Sequence, residues 1–165
     1  MGGAEGRELD VVSSTRVVRD LSSELKTLHK ALLQAGQAAF EIEHGPVQGT
    51  LQLLHLVVHD PAFAWLRPLS ELMADLDALL DLEIPPNREE EGAVRGELEH
   101  LLSPAGGELW SALAKFIQQA PEVAAAYARV RQILLSLPKP AVSDEGAALH
   151  AQHRWAESRL HRKSR

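Results

Sequence analysis

The stretch from His44 to Leu80, HGPVQGTLQLLHLVVHDPAFAWLRPLSELMADLDALL, decides the fold. It reads as two apolar helical segments joined at a proline-marked corner. In the first, about Val47 to His59, the polar residues Gln48, Gln52, His55 and His59 form one narrow stripe. Val47, Leu51, Leu53, Leu54, Leu56, Val57 and Val58 fill most of the remaining circumference. A helix apolar on so many sides is expected at the centre of a bundle. Asp60-Pro61 then supplies a cap followed by proline at the first helical position. A short turn, Ala62 to Arg67, presents Phe63, Trp65 and Leu66, and Pro68 either restarts the helix or kinks it. In the segment Leu69 to Glu83, Leu69, Leu72, Met73, Leu76, Leu79 and Leu80 recur at three- and four-residue steps, the period of one helical face. Glu71, Asp75, Asp77 and Asp81 are expected on the opposite, solvated face.

The same period extends upstream and downstream. Leu21, Leu25, Leu28, Leu32, Ala35 and Ala39 mark a first helix from about Ser13 to Glu43, stopped by Gly45-Pro46. Ile84-Pro-Pro-Asn-Arg reads as a loop and as the hinge between two halves. Helices follow at about Glu90–Leu102, Glu108–Gln119 and Pro121–Leu137. The third of these carries Val123, Tyr127, Val130, Leu134 and Leu137 on one face. Ser143-Asp-Glu opens a last helix, to about Leu160, with a sparse apolar face. No strand-like alternation and no repeat of 20–50 residues is present. The reading is an all-α protein: a single up-and-down helical bundle of about six or seven helices with short extra helices. Residues 1–12 are expected to be disordered, 13–137 to form the bundle, and 138–165 to form a linker and a basic C-terminal helix or tail.

Composition narrows the functional classes. The 165 residues suffice for one domain burying roughly 70% of its unfolded surface. Aromatic residues make up only 4%, so Leu, Val and Ala must build the core, a palette that favours helices. There is no cysteine, which excludes disulfides, thiolate zinc sites, iron–sulfur clusters and cysteine nucleophiles, and fits a cytoplasmic location. No apolar run reaches the length of a membrane span. The net charge of −6 is unevenly spread: Glu41–Glu99 carries 13 acids against 3 bases, whereas His150–Arg165 carries one acid and five bases. An acidic body argues against a broad nucleic-acid surface.

Several side-chain patterns are candidates for chemistry. His55-Leu-Val-Val-His59 places two imidazoles at i, i+4 on one helical face, a spacing that suits a shared metal ion. Leu56 stands where a zinc protease has its glutamate, so the zincin mechanism is excluded. Glu41-Ile-Glu-His44 and Glu97-Leu-Glu-His100 repeat the Glu-x-x-His spacing of di-iron carboxylate bundles. The bridging glutamates such a site needs are missing from the third helix. Iron or zinc at Glu41, His44, His55, His59, Glu97 and His100 is therefore the alternative reading, with surface ion pairing as the plainer one. At the corner, Phe63 and Trp65 either plug the end of the bundle or contact a partner or apolar ligand, with Arg67 beside them to clamp an anion. The basic tail, Arg154, Arg159, Arg162, Lys163 and Arg165, suits docking on the acidic third helix. There is no Gly-x-Ser-x-Gly elbow, phosphate loop or EF-hand spacing.

The segment Leu28 to Leu80 resembles a group of small bacterial all-helical proteins. The resemblance lies in Leu28-His-Lys-Ala-Leu-Leu, in His44-Gly-Pro, and above all in Asp60-Pro-Ala-Phe-Ala-Trp-Leu-Arg-Pro-Leu-Ser-Glu-Leu. It covers about a third of the chain. It implies a bacterial, soluble, all-α protein and no activity. With no motif naming a reaction, the leading expectation is a non-enzymatic helical interaction module that forms a homodimer. It binds no cofactor, membrane or nucleic acid and uses the surplus Leu and Val of the second helix for self-association. A metal- or cofactor-binding bundle and an apolar-ligand bundle are the alternatives.

Overall fold

The structure is a computed structural model that describes residues 3–140, with side chains from Val12 onward. Six α-helices run in the order α1 (Gly3–His44), α2 (Gly49–His59), α3 (Arg67–Asp81), α4 (Arg88–Leu101), α5 (Glu108–Gln119) and α6 (Pro121–Ser136). Two short 3-10 segments, Pro61–Leu66 and Pro104–Gly106, turn the chain between them. There is no strand among the described residues, and the expected all-α bundle is what forms. The predicted C-terminal helix and basic tail lie outside the described residues.

Helix α1 is the spine. It begins at Gly3, upstream of the expected start at Ser13, because Arg7, Glu8 and Leu9 are good helix formers and no proline interrupts the stretch. One face, Val18, Leu21, Leu25, Leu28 and Leu32, is fully buried against α3 and α6. Helix α3 crosses it antiparallel, since Ser22 meets Asp77 and His29 meets Ser70. Each fully buried leucine contributes roughly 1.5–3 kcal/mol. The exposed ion pairs at the seam, Lys26–Asp77 at 3.0 Å and Arg129–Glu24 at 2.9 Å, are worth about 0–1 kcal/mol each, so apolar burial holds the bundle.

The caps follow the sequence closely. Gly45, at φ 83°, closes α1 in the left-handed conformation, its N–H donating to the Glu41 carbonyl at 2.9 Å. The Asp60 carboxylate accepts from the Ala62 N–H at 2.8 Å, and Pro61 opens the 3-10 turn. Pro68 restarts the helix, falling in the first turn of α3. Asn87 and Glu90 form a reciprocal capping box at the start of α4, each side chain accepting from the other's backbone N–H at 2.9 Å.

Two expectations are corrected. The Ile84–Arg88 loop is no hinge between halves: Leu76 and Leu79 before it and Val94, Leu98, Leu109 and Val130 after it belong to one continuous core. Nor is α2 central. It has no buried residue and rests on the 3-10 corner that follows it. Only eleven residues long and bracketed by the Gly45–Gly49 turn and Asp60-Pro61, it is laid on the outside of the corner while α1, α3 and α6 fill the core.

Candidate functional site

The outside of α2 is the most unusual surface in the structure. Leu51 is 84% exposed, Leu54 58% and Val58 50%. These residues are spaced i, i+3 and i+7 and so share one stripe of the helix. The opposite side, Leu53, Leu56 and Val57, is half-buried on the corner. His55 and His59 border the exposed stripe, with ring centroids 4.7 Å apart and planes tilted by 50°. Both are exposed, and among the described residues neither imidazole has a hydrogen-bond partner. Between Gly49 and His59 there is no Asp, Glu, Lys or Arg. Ile42, in the last turn of α1, is also 86% exposed.

The corner beneath α2 is held by aromatic packing. Phe63 is fully buried and meets Phe40 at 5.6 Å between centroids. Trp65 is half-buried, packs on Phe116 at 5.9 Å, and donates its indole N–H to the Ala62 carbonyl at 2.8 Å. Gly36 makes room for this ring: a Cβ there would lie 3.0 Å from Trp65 Cζ2. Phe63 therefore serves the core and offers no contact surface, Trp65 plugs the corner, and Arg67 stands exposed at the start of α3. The large apolar side chains that α2 exposes are Leu51, Leu54 and Val58, whereas Phe63 is buried and Trp65 half-buried.

The Glu-x-x-His segments have local partners. Glu41 accepts from the Gln37 amide at 2.9 Å and the Val47 N–H at 3.0 Å, bonds that hold its carboxyl below the usual range. His44 stacks on Phe40 at 4.2 Å and donates from Nδ1 to the Phe40 carbonyl. Both thus close the end of α1. Glu97 and His100 lie half-buried on α4. Among the described residues no three His, Asp or Glu side chains converge closely enough to hold a metal ion. Of the six candidate ligands, only His55 and His59 stand together with both rings open to solvent.

Three polar features escaped the sequence reading. His29 Nε2 lies 2.9 Å from Ser70 Oγ, and Ser70 also donates to the Leu66 carbonyl at 3.2 Å. Burial between α1 and α3 lowers the His29 pKa. Asp77, expected on a solvated face, instead accepts from Ser22 at 2.9 Å and from Lys26. On α4, Arg95 is buried, donating to Glu99 at 2.8 Å and to the Leu137 carbonyl at 2.6 Å, which ties the end of α6 to α4. Contacts across 41 to 55 residues leave no local signature.

No family model, curated protein or solved structure matches this chain. No helix among the described residues is long and apolar enough to cross a membrane.

Proposed function

We propose that this protein is a non-enzymatic helical interaction module that self-associates through the outer face of α2. The observation that carries the reading is the exposure of Leu51, Leu54 and Val58 on a helix that buries none of its residues. Leaving such a patch in water is costly, and contiguous apolar patches on monomers commonly mark contact sites. Charge favours a second copy as the occupant. A two-fold contact sets a surface against itself, so every charged group at its centre meets a like charge. In a chain that is 24% charged, Gly49–His59 carries no charge of either sign. The resemblance to small bacterial helical proteins and the cysteine-free composition fit a cytoplasmic module of this kind, and neither adds an activity.

Replacing Leu51 and Leu54 with arginine tests the reading. Both side chains are exposed, so the fold should survive, with unchanged helicity by circular dichroism. Sedimentation velocity at tens of micromolar should give a dimer for the unaltered chain and a monomer for L51R/L54R. A chain that stays monomeric both without and with added metal would sink the proposal.

A further inference from the structure

We propose that His55 and His59 are half of a divalent transition-metal site, and that a second copy of the chain supplies the other half across the α2 contact. This rests on the self-association reading and adds to it a ligand and a means of control. The two histidines are one helical turn apart, their ring centroids 4.7 Å from each other and both rings exposed. In a tetrahedral zinc site with Zn–N near 2.0–2.1 Å, two coordinating nitrogens lie roughly 3.4 Å apart. Two neighbouring imidazoles with no hydrogen bonds to break reach that separation by small side-chain rotations, without moving the backbone.

Among the described residues the pair has no further ligand from its own chain. Structural zinc sites take four protein ligands, and no third His, Asp or Glu among the described residues joins these two. Their position supplies the remainder. His55 and His59 border the apolar stripe of Leu51, Leu54 and Val58, the surface on which the two copies are proposed to meet. Two-fold symmetry doubles every group near the axis, so two imidazoles from one copy become four at the contact. An all-imidazole donor set suits zinc, copper or nickel and not calcium or magnesium, which prefer oxygen. The leucines then provide a standing, weak apolar affinity, and the metal converts it into a tight, chelator-sensitive dimer.

The probe is zinc ion added to the untagged full chain, followed by sedimentation equilibrium in zinc and in EDTA and by metal analysis after desalting. The expected result is one zinc per two chains and a dimer dissociation constant at least tenfold lower in zinc than in EDTA. H55Q/H59Q should lose the zinc response, with the same dissociation constant in zinc as in EDTA, and bind no stoichiometric metal. The L51R/L54R chain, with both histidines present, should lose the tight site because the second pair no longer arrives. A dimer in EDTA that neither binds zinc nor tightens overturns this inference and leaves the self-association reading standing. One zinc per monomeric chain overturns the shared site. A zinc response that survives H55Q/H59Q places the metal elsewhere and overturns the assignment. A chain monomeric in both conditions overturns both readings.

Discussion

Two side chains that no pattern of spacing marks carry the most specific consequences at the residue scale. Glu91, in the first turn of α4, is only 5% exposed, and its Oε1 finds no hydrogen-bond partner among the described residues. Arg95, one turn on, is already committed to Glu99 and to the Leu137 carbonyl. A carboxylate near a helix N-terminus gains about 0.3–1 kcal/mol from the dipole. A buried, unsatisfied polar atom costs about 1–3 kcal/mol, so the penalty wins. Glu91→Met, of similar volume and without polar atoms, is expected to raise stability by about 1 kcal/mol, or about 2–4 °C in melting temperature. A lower melting temperature would show that the carboxylate is in use. His29 works in the opposite sense. Burial favours its neutral form, so its folded-state pKa lies below its unfolded value of 6.5. The unfolded chain therefore binds the proton first as pH falls. Stability is complete above 6.5 and declines as pH drops from there through the lowered folded value. Melting curves at pH 7.5 and 5.5 should show a smaller acid-induced loss for H29Q than for the unaltered chain. Equal losses would mean that other groups carry the whole effect.

At the scale of single elements, legibility tracked whether a helix's partners could be inferred from its own face. Helices α3, α5 and α6 each have one apolar stripe, so Leu69, Leu72, Leu76 and Leu79, or Val123, Val130 and Leu134, point to a core wherever that core lies. The chain's turns were equally readable, because Gly45 after α1, Asp60-Pro61 at the 3-10 corner and Pro121 at the start of α6 act on neighbouring backbone alone. The Asn87–Glu90 box carries its signature, a cap residue followed three positions later by glutamate, directly after a double proline that marks a loop. Helix α2 is ambiguous in sequence for a physical reason. Apolar residues around most of a helix record that it needs cover, not who provides it, and a core and a second copy supply chemically similar cover. The exposure of Leu51, Leu54 and Val58 separates these cases only once α1, α3 and α6 are seen to fill the interior without α2. For the candidate site, the i, i+4 spacing of His55 and His59 was visible, whereas the separate local roles of Glu41 and His44 required the structure.

The whole molecule sets electrostatics against apolar contact. Each chain carries a net charge of −6, and the segment from Glu41 to Glu99, which includes α2, has 13 acids and 3 bases. Two copies meeting through α2, as proposed, would bring two chains of net charge −6 together, while the contact face itself is uncharged. The apolar attraction depends weakly on ionic strength, and the repulsion is screened over a Debye length of about 30 Å at 0.01 M salt but only about 8 Å at 0.15 M. Salt should therefore tighten the dimer, the reverse of an association built on opposite charges. Sedimentation equilibrium in EDTA, from about 0.02 to about 0.5 M sodium chloride, is expected to show the dissociation constant falling severalfold across the range. Because EDTA removes any bridging metal, the slope reports the leucine face and the net charge of the chains alone. A dissociation constant that rises with salt would mean that opposite charges make the contact. The uncharged face of α2 would then not be where the copies meet.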